Sequence, residues 1–147
     1  MSDRDQGYAD SIAPSGEAVR EGLTRFTAYL RQSDVPEIVA TDARTIFFEI
    51  ASNILHHGHL DASEVIIVTA VLSSTGSMRE LEIRFTDNGI PFDSSRPQPK
   101  LDPEAAAEQR RRRGFGLLMV ERLADSISYE RFLGTFNVLT ATKRWQI

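Results

Sequence analysis

Three side chains able to do chemistry are spaced four residues apart within residues 45–58, TIFFEIASNILHHG. At about 100° per residue, Glu49, Asn53 and His57 stack as a narrow stripe along one side of a helix. The apolar residues of the same stretch fall on the other half: Ile46, Phe47, Ile50, Ala51, Ile54 and Leu55. An acid, an amide and an imidazole are groups that hold a hydrated metal ion or move a proton. The stripe predicts the floor of a site, and the alternative is an ordinary solvent-facing side of a core helix.

Two glycine-containing stretches could complete such a site. Asp87-Asn88-Gly89 follows a predicted strand, and Gly114-Phe115-Gly116 precedes a predicted short helix. Glycines let a backbone approach phosphates, and a helix N-terminus presents free N–H groups to them. The four arginines at 110–113 would add positive charge for a polyphosphate. Taken singly, these features are also typical of a common turn, a loop and a solvated basic run.

Several familiar sites are excluded by their missing motifs. There is no GxxxxGK[ST] phosphate loop, no GxGxxG after the first strand and no GxSxG nucleophile turn. His56, His57 and His59 lie close together but lack HExxH spacing, which argues against a zinc site. The absence of cysteine excludes disulfides and thiolate metal sites.

The remaining chain predicts the elements that would position these residues. Helical spacing of apolar residues predicts a helix over about 17–31, with Ser15 as its cap, and the central helix over about 36–57, ending at Gly58. A β-branched run at 65–72 and an alternating stretch at 81–86 predict a hairpin. After a short helix beginning at the GFG stretch, residues 126–132 and 135–143 predict two more strands.

This order of elements predicts an α+β fold, a two-layer α/β sandwich with a mixed, mostly antiparallel sheet covered by helices on one face. Residues 1–147 are predicted to form a single domain, since the length suits one hydrophobic core. Residues 1–14 are predicted to be frayed or an edge strand. Residues 88–113 have little core potential and are predicted to be a functional lid.

Composition limits the function classes. With 41% hydrophobic and 26% charged residues, the sequence is that of an ordinary globular protein. A net charge of −4 argues against general nucleic-acid binding. No apolar run approaches the roughly 20 residues of a membrane span, and the N-terminus has no apolar signal core. We therefore expect a cytoplasmic protein with no membrane partner.

Taken together, the order and spacing of the motifs resemble the GHKL (Bergerat-fold) ATPase superfamily, from about Ser15 to Lys143. Within it, FFEIASNILHHG, DNGIPFD and RRRGFGLLMVERLAD are similar to the three motifs of the anti-sigma factor serine/threonine kinases of bacterial partner-switching systems. The resemblance implies ATP and Mg²⁺ as cofactors.

The resemblance also implies a role for each matching residue. Glu49 would be the general base, Asn53 would coordinate Mg²⁺, and His57 would border the nucleotide or the lid. Asp87 would accept a hydrogen bond from the adenine amino group. The other nucleotide-binding positions would be Gly89 beneath the base, Arg113, Gly114 and Gly116 at the phosphates, and Thr140 on the last strand, backing the pocket.

The implied activity is transfer of the ATP γ-phosphate to a serine of a small antagonist protein, with a sigma factor as the alternative partner. Two other functions stay open: a non-catalytic partner-binding module of the same fold, and a histidine-kinase-like catalytic domain acting on a separate phosphoacceptor. Retention of Glu49 favours a kinase, because binding alone needs no base. A homodimer is also left open. The aromatic stretches 26–29, 47–48 and 132–136 are expected in the core.

Overall fold

A computed structural model describes residues 7–58, 60, 61, 63–91 and 115–147 of the chain. In these described residues, three helices and five strands follow in the order β1, α1, α2, β2, β3, α3, β4, β5. The helices are α1 (Gly16–Gln32), α2 (Glu37–His57) and α3 (Phe115–Leu123), and the strands are β1 (Tyr8–Ile12), β2 (Ile66–Thr75), β3 (Met78–Asp87), β4 (Ser126–Phe132) and β5 (Phe136–Gln146). These bounds confirm the predicted helices and strands to within a few residues.

The five strands form one sheet in the order β1-β2-β3-β5-β4, with β1 and β4 at its edges. All four pairings among the described strands are antiparallel, so the sheet is more uniform than the mixed sheet that we predicted. Antiparallel neighbours need only short connections, and Gly76 and Gly134 provide them with φ angles of 62° and 65°. The α+β sandwich is thereby confirmed.

Helix α1 begins where its sequence signal indicates. The Ser15 side chain accepts a hydrogen bond from the Ala18 amide over 3.1 Å, which satisfies one of the unpaired amides of the first turn. Val19, Phe26 and Leu30 of this helix are buried at helical spacing. Helix α1 therefore packs its apolar stripe into the layer between helices and sheet.

Helix α2 is the central element of the core. Ile46, Phe47 and Ile50 are at most 1% exposed, which confirms the predicted apolar face. The Phe47 ring stacks on Phe26 of α1 with centroids 4.9 Å apart and meets Phe85 of β3 edge-on at 5.8 Å. These three rings connect both helices to the sheet.

The aromatic residues at the end of the β4–β5 hairpin do not lie in the core, contrary to our prediction. Phe132, Leu133 and Phe136 are 56%, 76% and 38% exposed, and Phe48 of α2 is 41% exposed. Phe132 and Phe136 are register partners on the sheet face that no helix covers among the described residues. The sequence pattern identifies an apolar stretch, but a two-layer sandwich buries only one face of each strand. The stretch 26–29 does contribute to the core as predicted.

No helix in the described residues is long and apolar enough to cross a membrane.

Candidate functional site

The predicted stripe on α2 lies beside the buried face of that helix. Glu49, Asn53 and His57 are each half-buried. Successive members are about 6 Å apart along the helix axis, at a rise of about 1.5 Å per residue. Asn53 thus lies about 7.5 Å, and Glu49 about 13.5 Å, before Gly58, the residue at which α2 ends. An acid and an amide at this spacing can act on different atoms of an extended ligand.

The end of α2 is joined to the end of β3. The Ile90 amide donates to the Gly58 carbonyl oxygen over 3.1 Å. A Cβ on Gly89 would collide with that same carbonyl oxygen and would lie 2.9 Å from Asp87 Oδ1. Only glycine fits at position 89, because the α2 terminus occupies the space of a side chain. The DNG motif therefore has a packing role here: it attaches the strand end to the helix that carries Glu49 and Asn53.

Asp87 is the last residue of β3 and is 5% exposed. Its Oδ1 accepts hydrogen bonds from the Gly89 amide at 2.8 Å and from Asn137 Nδ2 at 3.0 Å. Within the described part of the chain, Oδ2 accepts no hydrogen bond. A buried carboxylate with one oxygen engaged can use the other to accept from a ligand.

Asn137 of β5 is a site residue that the sequence analysis missed. It is 5% exposed and is the direct register partner of Asp87. Its Oδ1 accepts from the Tyr129 hydroxyl at 2.6 Å and from Arg131 at 2.9 Å. The signal that could have found it is alternation: Asn137 shares the core-facing side of β5 with Leu139 and Ala141, so a buried amide was predictable there.

Arg131 ties the edge strand β4 to the same segment. Its guanidinium donates to the Gly89 carbonyl at 2.8 Å and to the Gly134 carbonyl at 3.0 Å, besides Asn137. The backbone of the DNG motif is therefore held from two sides, by the α2 terminus and by Arg131.

Thr140, which the resemblance placed behind the pocket, does not join this group. It lies three residues after Asn137 on β5, and residues an odd number apart point to opposite faces of a strand. Thr140 instead lines a groove of about 750 Å³, with Arg84, Thr86 and Ser128 among its neighbours. This groove lies on the sheet face that no described helix covers, called the helix-free face below.

The glycines of the turn that is predicted to face the phosphates are described only in part. Gly116 lies in the first turn of α3. Arg113 and Gly114 lie outside the described residues, as do residues 92–112 of the predicted lid.

The donor set suits Mg²⁺ better than a metal held by protein alone. In the described residues, no group of three or more His, Cys, Asp or Glu side chains could hold a metal ion. Mg²⁺ commonly takes one or two protein oxygens and completes its shell with phosphate oxygens and water. A single amide oxygen, such as that of Asn53, fits this mode of binding.

The family model of the histidine kinase-like ATPase domain matches residues 12–143. The chain belongs to this family. The matched span contains the α2 stripe, the DNG motif and the GFG stretch, and the resemblance drawn from those motifs is confirmed at the family level. The family assignment supports ATP binding.

Two solved structures share the fold of this ATPase domain. The RsbU and RsbW domains of Rv1364c from Mycobacterium tuberculosis match with a TM-score of 0.65 and 16% identity over 92% of this chain. The match covers 31% of that chain, so this domain spans about a third of its length. The SiaB–SiaC complex from Pseudomonas aeruginosa matches with a TM-score of 0.63 and 20% identity, over 92% of this chain and 88% of that one. A search of curated proteins finds no match.

Proposed function

We propose that this protein is an anti-sigma-factor-type serine/threonine protein kinase, which transfers the γ-phosphate of ATP to a serine of a small antagonist protein. The observation that carries the proposal is the junction of α2 with β3. It brings the buried Asp87 to the end of the helix that bears Glu49 and Asn53. A nucleotide needs such an arrangement, with a polar acceptor at its base and oxygen ligands at its phosphates.

At the base end, Asp87 Oδ2 would accept a hydrogen bond from the exocyclic amine of adenine. Gly89 and Arg131 support this assignment, because they hold the backbone beside Asp87. The His57 side chain would border the nucleotide one residue before the junction.

At the phosphate end, the amide oxygen of Asn53 would hold Mg²⁺ against the phosphates. Mg²⁺, when bound, supplies charge neutralisation to the transferred group. Gly116, together with Arg113 and Gly114, would contribute amides and positive charge to the same phosphates.

Glu49, one turn before Asn53, is free to serve as base because the amide and not the acid is assigned to the metal. Its carboxylate would take the proton of the acceptor serine hydroxyl. The serine oxygen forms a bond to the γ-phosphorus as the bond between that phosphorus and the β–γ bridging oxygen breaks, which leaves phosphoserine and ADP.

Similar structures support a protein partner. SiaB is seen in complex with SiaC, and the RsbW domain of Rv1364c shares its chain with an RsbU domain. We propose a small antagonist protein as the substrate of this kinase and a sigma factor as the protein bound in the alternative complex.

The decisive experiment incubates the full chain with γ-labelled Mg·ATP and a candidate small antagonist protein from the same organism. Acid-stable, alkali-labile label on a serine of that protein is the expected result. Acid-labile label would instead identify a histidine-kinase-like domain. A rise in melting temperature with Mg·ATP but no label on any added protein would identify a non-catalytic binding module.

A further inference from the structure

The side-chain oxygen of Asn137 is identified by the groups that surround it. Arg131 can only donate, and it donates to Asn137 Oδ1 over 2.9 Å. The Tyr129 hydroxyl donates to the same oxygen over 2.6 Å. Both donors come from β4, the edge strand, and both point at one side of the Asn137 amide.

The other side of that amide meets only acceptors. Asn137 Nδ2 donates to Asp87 Oδ1 at 3.0 Å, to the Ile90 carbonyl at 2.8 Å and to the Gly89 carbonyl at 3.3 Å. Rotating the amide by half a turn would place its oxygen against three acceptors and its NH₂ against the Arg131 guanidinium. Because the residue is 5% exposed, water could not replace the lost bonds. One orientation of the amide is therefore strongly favoured.

From this network we infer that Tyr129 and Arg131 are positioning residues that set the base preference of the site. By fixing the amide of Asn137 they keep its NH₂ on Asp87 Oδ1, so that Oδ2 faces the ligand as an acceptor. The inference rests on the proposed nucleotide site and deepens it: the site would select a 6-aminopurine, whose exocyclic amine donates, over a 6-oxopurine.

A 6-oxo group would set an acceptor against an acceptor at Asp87 Oδ2, and such unpaired contacts in a buried site are strongly unfavourable. The Asn137 NH₂ could relieve that contact by turning toward the base, and the two donors on Oδ1 prevent that turn. Without Tyr129 and Arg131, the amide can turn and the carboxylate can rotate, and discrimination between the two bases falls.

The test compares ATP with ITP, which differs only in carrying a 6-oxo group and N1–H. Dissociation constants for both Mg·nucleotides are measured by isothermal titration for the full-length chain, for Tyr129→Phe, for Arg131→Lys and for the double variant Tyr129→Phe/Arg131→Met. We expect the unmodified chain to prefer ATP. The ratio of the ITP to the ATP dissociation constant should fall about tenfold in the double variant, which corresponds to the loss of one hydrogen bond that distinguishes the two bases. Arg131→Lys keeps a donor and should retain most of the preference. Arg84→Met, a cation on the helix-free face, is the matched control.

The outcomes separate two failures. An unchanged ratio in every variant, or an equal loss of affinity for both nucleotides, would overturn the inference while leaving the nucleotide site in place. An unmodified chain that binds neither nucleotide would overturn the proposed function as well. If the double variant does not fold, the single Tyr129→Phe change still decides: a lower ratio supports positioning, and the wild-type ratio contradicts it.

Discussion

Asn137 Nδ2 donates to Asp87 Oδ1 over 3.0 Å between two residues that are direct register partners of β5 and β3. The next pairs on the same face are Phe85 with Leu139 and Ile83 with Ala141, all apolar and buried. The polar pair thus follows a row of apolar pairs and lies at the end of the sheet that meets helix α2. Buried polar groups are stable only when they are hydrogen-bonded, and neighbouring groups satisfy this pair through Asp87 Oδ1 and the Asn137 amide. Asp87 Oδ2 remains able to accept a hydrogen bond from a ligand.

Replacing Asp87 by asparagine should weaken ATP binding about ten- to a hundredfold, because hydrogen bonds to charged groups contribute roughly 1.5–3 kcal/mol. Isothermal titration with Mg·ATP measures the change. Glu82→Gln, an acid on the helix-free face of the same strand, is the matched control and should bind as the unmodified protein does. Equal affinity in Asp87→Asn would remove Asp87 from the base end of the site.

Glu49→Gln should keep Mg·ATP affinity and lower the rate of phosphoryl transfer by about a hundredfold or more, the usual contribution of a general base. Titration and the labelled-phosphate assay report the two quantities separately. Glu21→Gln on the exposed side of α1 is the control. Full transfer activity in Glu49→Gln would contradict its assignment as base.

Gly89→Ala should destabilise the fold by about 1–3 kcal/mol, as expected for forced overpacking, because its Cβ has no space beside the Gly58 carbonyl. Urea unfolding monitored by circular dichroism gives the free energy of unfolding. Gly16→Ala is the matched control, since the nearest atom to its Cβ would be Arg20 Nη1 at 3.9 Å. Equal unfolding free energies for Gly89→Ala and the unmodified protein would show that the α2–β3 junction yields to the methyl group.

Lys143→Met should lower the free energy of unfolding by about 1–3 kcal/mol. The Lys143 side chain is 13% exposed, and its ammonium donates to Asp42 Oδ2 at 3.0 Å and to the Leu123 carbonyl at 2.6 Å, so its removal leaves two acceptors without their partner. Arg84→Met breaks the exposed pair with Glu82 and should cost less than about 1 kcal/mol. Urea unfolding gives the free energy of unfolding of both variants. Equal losses in Lys143→Met and Arg84→Met would show that the Lys143 contacts contribute no more than an exposed ion pair.

Leu133→Asn should raise the free energy of unfolding by a few tenths to about 1 kcal/mol. Leu133 has a φ of 54° before Gly134 at 65°, positive values for which Asn-Gly is favoured in tight hairpins. Since Leu133 is 76% exposed, little packing is lost. Leu133→Ala removes the same apolar side chain without the turn preference and serves as the control. A lower stability for the asparagine than for the alanine variant would contradict the turn argument.

Local signals predicted most of the fold. Ser15 before a periodic stretch marked the start of α1, and the change from helical to alternating spacing marked the β2–β3 hairpin. Such features depend on residues that are neighbours in the chain, which is why a sequence reveals them.

The candidate site could be predicted from the sequence only where its residues lie on a single helix or strand. Glu49, Asn53 and His57 share a helix, so their common side followed from periodicity alone. The roles of Asn137 and Arg131 depend on which strands pair with one another, which the sequence does not state. Thr140 was assigned from the family resemblance, and the structure places it on the other face of β5 from Asn137. Gly89 was predicted as a ligand position, whereas its packing partner Gly58 lies 31 residues earlier and could not be read from the motif.

The hydrogen bond from the Ile90 amide to the Gly58 carbonyl fixes the end of β3 relative to the end of α2. The helical rise of about 1.5 Å per residue sets the axial separation of Glu49, Asn53 and the helix terminus, and the strand end that carries Asp87 is hydrogen-bonded to that terminus. Asn53 and Glu49 thus lie about 1.4 and 2.5 helical turns before the point at which β3 is attached to α2, at about 3.6 residues per turn.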